Sequence, residues 1–403
     1  MKILIINTVC GIGSTGRICT DLADVLEQNG HECKIAYGRG VVPEKLKKYA
    51  IRIGSDIDVK LHALQTRLFD CSGFGSQRAT EKFIEWVKEY NPDIVHLHNL
   101  HGYYINIELL FNYLAETNKP VVWTLHDCWS FTGHCAYYSY AMCDKWKNGC
   151  HSCPQKKKYP SSWLFDRSQK NWLQKKKLFT SVKNMTLVVP SQWLAKEIQQ
   201  SFLRKYPIKV IPNGIDLDVF KPTISDFRKN YNLEGKKIIL GVASIWEPRK
   251  GLNDFIELSK ILDDSYKIIL VGLTENQKRK LPKEILCLTR TCDIKKLAEI
   301  YSAADVFFNP SKEETMGLTT VEAMACGTPS IVFNSTAIPE VINKECGIVL
   351  DKLDCITIKE KIDSLDLNEN SIIKNSRKFE KKFQYLEYNL LYKTLYEQVM
   401  SFL

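Results

Sequence analysis

The chain has 403 residues, 44% hydrophobic and 25% charged, which exceeds one core and excludes disordered and fibrous classes in favour of two globular domains. No apolar run approaches the ~18 residues of a membrane helix, and fourteen cysteines without an export signal argue for reduced thiols, not a disulfide framework. The net charge of +10 is uneven, since Lys156 to Lys183 holds nine Lys/Arg against one acid, Asp166.

The opening MKILIINTVCGIGSTGR has too short an apolar run for a signal sequence and enters a glycine turn, so KILII (2–6) is expected as a buried first strand and the protein as cytoplasmic. A helix follows, with Ile18, Leu22, Val25 and Leu26 on one face. GIGSTGR (11–17) satisfies G-x-G-x-x-G, but the second strand CKIAY (33–37) ends in Gly38-Arg39, with no acid for a ribose. A dinucleotide-binding oxidoreductase is therefore only a minor alternative.

Three further strands, DIVHL (93–97), VVWTL (121–125) and TLVV (186–189), complete the first half. Near-continuous apolar strands alternating with helices predict a parallel sheet covered on both faces. TLHDCWSFTG (124–133) puts His126 at the carboxyl end of its strand, where such sheets bind ligands. His96 and His98 share a face by strand alternation, and a packed strand end explains them equally well.

Cys135, Cys143, Cys150 and Cys153 end in a C-x2-C pair compatible with a structural zinc; four separate reduced thiols explain them as well. In the basic stretch 156–183, lysine triplets alternate with Trp163, Phe165, Trp172 and Phe179. That pattern suits peripheral contact with an anionic membrane, and equally a solvated face over a core helix.

A Pro/Asn/Gly-rich stretch, 207–235, is expected to link the halves, after which KIILGV (237–242), KIILV (267–271), DVFFN (305–309) and SIVF (330–333) repeat the strand grammar. The expected division is 1–212, 213–376 and a last helix, 377–403, with Phe379, Phe383, Leu386, Leu390, Leu395 and Val399 along one face. Arg249 and Lys250 end one strand-to-helix turn, and a second turn enters a helix near Thr319, its amides from Gly317 to Thr320 directed outward. Cations beside a helix start make a phosphate site, and the carboxylates of Glu314 and Glu322 suit sugar hydroxyls. Thr319 and Glu322 also fit a capping box that needs no ligand.

ETMGLTTVE (314–322), EAMACGTPSI (322–331), STAIPEVI (335–342), IYSAADVFFNPS (300–311), VIPNGID (210–216) and PRKG (248–251) together resemble the family 4 glycosyltransferases, retaining enzymes of the GT-B fold. The similarity runs over nearly the whole chain, nearest to transferases of bacterial capsule and exopolysaccharide, the colanic acid type included. It implies two Rossmann-like doubly wound α/β domains facing a cleft, with the C-terminal helix returning to the first. It further implies a UDP- or GDP-sugar donor, no catalytic cofactor, a glycan or lipid-linked acceptor and no nucleic acid. By the same resemblance Glu314 holds the donor sugar and Glu322 the ribose, with Met316, Gly317, Leu318 and Thr319 giving backbone contacts and Lys250 the diphosphate contact. Ser244 stands where the family often has arginine, and Arg249 is the substitute. Gly13, Gly16 and Arg17 would face donor phosphates and acceptor, and His126 the transferred sugar. The alternatives are an epimerase or phosphorylase of the same architecture, and a zinc-stapled lipid- or nucleic-acid-binding module.

Overall fold

A computed structural model of the protein describes residues 1–289, 291, 293–343, 345–365 and 385–401. The chain divides into two compact units, Met1–Ile211 with Asn389–Leu403, and Pro212–Tyr388.

The first unit is built on seven strands: β1 (Lys2–Asn7), β2 (Glu32–Tyr37), β3 (Ala50–Arg52), β4 (Ile94–Leu97), β5 (Val121–Thr124), β6 (Met185–Val189) and β7 (Ile208–Val210). They lie in the order β3-β2-β1-β4-β5-β6-β7, every pair parallel. Strands β4 and β5 are buried throughout, as helices on both faces require. Strand order reverses between β1 and β4, the topological switch point where doubly wound sheets open a ligand crevice. Asn7 and Thr8 tie the two loops there, Asn7 Oδ1 accepting from Asn99 N (3.3 Å) and Thr8 Oγ1 donating to Asn99 O (3.1 Å).

The second unit repeats the plan with β8 (Lys237–Val242), β9 (Tyr266–Leu273), β10 (Leu286–Thr289), β11 (Val306–Asn309), β12 (Ser330–Phe333) and β13 (Gly347–Leu350), in the order β10-β9-β8-β11-β12-β13. Its switch point lies between β8 and β11. Pleating sends Ile238, Leu240 and Phe307 into one apolar core and Ile239, Val306 and Phe308 into another, so the sheet is covered on both faces.

The stretch expected as linker contains β7 and the helix Phe227–Asn230. The last helix, Tyr385–Ser401, packs in the first unit through Tyr392, Leu395, Tyr396 and Val399, whereas Leu390, expected on that face, is 62% exposed. Phe379 and Phe383 lie outside the described residues. Tyr396 and His96 share a hydrogen bond at 2.6 Å, Thr124 and His96 another at 2.8 Å, and Thr124 and Tyr392 a third at 2.6 Å.

The basic stretch departs from a uniform surface face. Helix Ser168–Phe179 buries Trp172 and Phe179 together with Lys175, whose ammonium donates to Trp129 O (2.8 Å) and Thr132 O (3.1 Å). Burial pushes that amine down to about 7. Among the described residues no helix is long and apolar enough to cross a membrane.

Candidate active site

In the second unit the loops after β8 and β11 are stitched into one surface. Lys312 N donates to Arg249 O (2.7 Å), and Arg249 Nη1 to Glu313 O (3.1 Å). Gly251 makes the fit sterically feasible: its φ is +76°, and a Cβ there would meet Pro310 at 2.6 Å. The segment 335–337 braces the far side, Thr336 Oγ1 accepting from Glu314 N (2.9 Å) and donating to Glu314 O (2.8 Å).

This frame brings Lys250 and Glu314 together as an ion pair, each side chain 15% exposed. Burial works to raise the Glu314 carboxyl, but the positive charges of Lys250 and Arg249 outweigh it and hold the group below its ordinary value. Burial pulls the Lys250 ammonium down, with Glu314 opposing it. Arg249 also pairs with Glu247 (Nε to Oε2, 3.0 Å), so Nε and Nη1 of its guanidinium hold its own loop and the Glu313 carbonyl. Ser244 is exposed on the same loop.

Helix Leu318–Ala325 begins directly after Gly317, whose φ of +89° is the left-handed region that glycine alone enters freely. No side chain caps this helix start, so the Thr319–Glu322 capping box expected as one reading does not form. The reason is register: Gly317 takes the capping position, leaving Thr319 inside the first turn. Glu322 is instead buried and accepts from Tyr301 Oη at 3.0 Å. Met316 is buried, its sulfur accepting from Asn213 N at 3.2 Å, and Leu318 and Thr319 are half-buried.

In the first unit the two loop glycines differ. A Cβ on Gly16 would meet Val9 at 3.0 Å and Gly11 N at 3.2 Å, and Gly11 N donates to Gly16 O, so packing of the turn on its own helix accounts for Gly16. Gly13, with φ +65°, has nothing within 4 Å of that position. Arg17 is half-buried one turn on.

His126 lies just past β5 and shares a hydrogen bond with His98 (Nε2 to Nδ1, 2.9 Å). Burial depresses it to about 4, so it is a neutral imidazole at neutral pH. Beside it Asp127 accepts from Trp129 N (2.9 Å) and pairs with His101 Nε2 (2.7 Å), whose Nδ1 meets Tyr159 Oη (2.9 Å). His98, Asn99, His101, His126, Asp127 and Ser130 line one cavity. His101, Asp127 and Tyr159 were not singled out as site residues. His101 follows DIVHL within HLHNLHGYY (96–104) and Asp127 stands inside TLHDCWSFTG, whereas Tyr159 carries no local signal.

Cys135, Cys143, Cys150 and Cys153 line a second cavity, all as free thiols. Among the described residues no group of three or more His, Cys, Asp or Glu side chains is arranged to hold a metal ion. Cys135 and Cys153 are hydrogen-bonded to each other, which with nearby His134 lowers the Cys153 thiol to about 7, and Cys150 Sγ accepts from Gly133 N at 3.2 Å. The expected structural zinc is therefore without support from the described residues.

Residues 223–382 match the family described as glycosyl transferases group 1, and residues 15–219 that described as Glycosyltransferase Family 4. A putative colanic acid biosynthesis glycosyl transferase, WcaC of Escherichia coli K12, is 26% identical over 370 residues, 86% of each chain. The Staphylococcus aureus capsular polysaccharide biosynthesis glycosyltransferase CapM is 27% identical over 171 residues, 40% of this chain and 45% of that one. In fold the chain is similar to sucrose-phosphate synthase from Thermosynechococcus elongatus (TM-score 0.73, 18% identity, 99% of both chains). It is similar also to Anabaena HepE solved with UDP and glucose (TM-score 0.68, 16% identity, 98% of this chain and 100% of that one). With one of these matches spanning just over half of its residues, the chain belongs to glycosyltransferase family 4 and is a glycosyltransferase.

Proposed function

We propose that this enzyme moves a sugar, with retention of anomeric configuration, from a UDP- or GDP-sugar to a glycan or lipid-linked saccharide in bacterial surface polysaccharide synthesis, in the cytoplasm and at the inner face of the membrane. The observation that carries the reading is the Lys250–Glu314 pair at the switch point of the second sheet, beside the uncapped helix start at Gly317. Relatives named for colanic acid and capsule synthesis support the pathway, and HepE with UDP supports the donor class.

In this reading Lys250 and the amides after Gly317 stabilise negative charge on the departing diphosphate, a preorganised electrostatic task that needs no metal ligand from the chain. Glu314 accepts hydrogen bonds from the donor sugar and Glu322 from the ribose, Tyr301 holding the Glu322 carboxylate in place. Arg249, held by Glu247 and the Glu313 carbonyl, positions the loop and adds positive charge beside Lys250 for the diphosphate. Neutral His126 donates or accepts one hydrogen bond at the transferred sugar, and the departing phosphate takes the acceptor's proton on the same face.

The test is a panel of UDP- and GDP-sugars. One nucleotide sugar should raise the melting temperature and be consumed only with acceptor present, giving a product of unchanged anomeric configuration. Lys250→Ala and Glu314→Gln should each lose on the order of 10²-fold in turnover while folded. An epimer formed without acceptor, or inversion at the anomeric carbon, overturns the proposal.

A further inference from the structure

Helix Asp56–Phe69 is turned inside out. It buries His62 and Thr66, the His62 ring accepting from Gly73 N (3.2 Å) and Gly75 N (3.1 Å) and meeting Ser76 Oγ at 2.9 Å. Val59 packs against the core, but three other apolar positions at helical spacing face outward: Ile57 is 69% exposed, Leu61 54% and Leu64 47%. An ordinary surface helix does the opposite.

A distant stretch of chain joins this face. Trp163 N donates to Arg67 O at 2.6 Å, Phe165 N to Leu68 O at 3.3 Å, and the Phe165 ring stacks on Phe69 at 5.8 Å and 16°. Ser162, buried beneath, donates to Phe165 O (2.6 Å) and holds the turn. Trp163, Leu164 and Phe165 are each more than half exposed. The apolar area is thus one built surface from two elements, beyond the scattered exposed residues of most monomers.

Basic residues accompany both elements: Lys60 and Arg67 are exposed on the helix, and Lys157, Lys158 and Lys170, which flank Trp163–Phe165 in sequence, are exposed as well. The neighbouring acids are engaged within the fold, Asp56 with Arg52, Asp58 at the Ser55 cap and Asp166 with the amides of Cys153 and Ser168. We infer that this face docks on the headgroup region of an anionic lipid bilayer, the aliphatic and aromatic side chains entering the interface and the lysines meeting lipid phosphates. A second copy is disfavoured because self-docking would bring two sets of these basic residues together. A nucleic acid would leave the aliphatic stripe of Ile57, Leu61 and Leu64 without an apolar partner. The inference rests on the proposed lipid-linked acceptor for its purpose, while bilayer binding itself needs no turnover.

The test is sedimentation of the full chain with vesicles of phosphatidylcholine alone and of phosphatidylcholine mixed with phosphatidylglycerol. The protein should sediment with the mixed vesicles and be released by salt. Because each basic residue near such a surface contributes roughly fivefold in partitioning, Lys157→Glu with Lys158→Glu should weaken binding more than about tenfold. Leu61→Ser and Trp163→Ser, both at exposed positions, should each weaken it several-fold without altering sugar-nucleotide consumption on a soluble acceptor. Wild type left in the supernatant with both vesicles overturns the inference, as do variants that sediment like wild type. So does light scattering that shows a dimer dissolved by Trp163→Ser. If no sugar nucleotide is consumed but vesicle binding persists, the proposed reaction fails and the docking surface stands.

Discussion

Removing both partners of the Lys250–Glu314 pair should harm the fold no more than removing the worse-tolerated one. Each side chain is 15% exposed, and an uncompensated buried charge typically costs about 3–5 kcal/mol. Lys250→Met leaves Glu314 with Arg249 as its remaining nearby cation, which places the loss near the lower end, about 3 kcal/mol. Glu314→Gln leaves Lys250 beside Arg249, and an amine already pulled down by burial escapes by losing its proton, at about 2 kcal/mol. The double variant contains no orphaned charge and should cost no more than the worse single change, a coupling of at least about 2 kcal/mol. Urea unfolding followed by fluorine NMR of fluorotryptophan-labelled protein isolates the effect, because Trp246 is the one tryptophan between Pro212 and Tyr388. Losses that simply add would refute the pairing as the organising contact of the site.

Acid should weaken the first unit well before its carboxylates titrate. Burial holds His62 and His126 at about 4 and His96 at about 3, so between these values and about 6.5 the unfolded chain binds protons that the native state refuses. Stability is therefore complete above about 6.5 and falls with pH through that window, by up to about 1.4 kcal/mol per unit for each histidine; an unchanged urea midpoint from pH 7 to pH 5 would exclude this. Gly317→Ala should fold, since the nearest atom to the new methyl is 3.5 Å away, but the φ of +89° should cost about 1–2 kcal/mol and weaken donor-induced thermal shift; an unaltered melting temperature would contradict it. Tyr396→Phe removes a hydroxyl from buried His96 and should cost about 1–3 kcal/mol, against no measurable change for Leu390→Gln on the exposed side of the same helix. Equal melting curves for the two would show that the hydroxyl is dispensable.

The nine strands legible in the sequence occupy the interior of the two sheets, and the four it concealed, β3, β7, β10 and β13, are the four edges. The reason is physical: an interior parallel strand is apolar on both faces and announces itself, as in β4 and β5, whereas edges such as Ala50–Arg52 and Ile208–Val210 are short and mostly half-exposed. Glu314, Lys250 and Gly317 were readable because turn chemistry and charge concentrate within a few residues of a strand end. The His101–Asp127–Tyr159 set was not, since Tyr159 lies 58 residues from His101 and no periodicity links them. The capping-box reading missed because one glycine at positive φ moved the helix start. The aromatic-basic pattern of 156–183 blended two fates, Trp172 and Phe179 in the core and Trp163 and Phe165 outside. Helix Asp56–Phe69 shows the same limit, for periodicity marks which residues share a side and is silent on which side faces water.

Tyr392 and Tyr396 close over His96 and Thr124, so polar groups at two interior strands find their partners 268 and 300 residues further along the chain. In chain order Met1–Ile211 is made first, Pro212–Tyr388 next and Asn389–Leu403, which belongs with the first unit, after both. The first unit is thus discontinuous in sequence, and a seam in its interior stays open in the growing chain until residues on the far side of Pro212–Tyr388 arrive to close it.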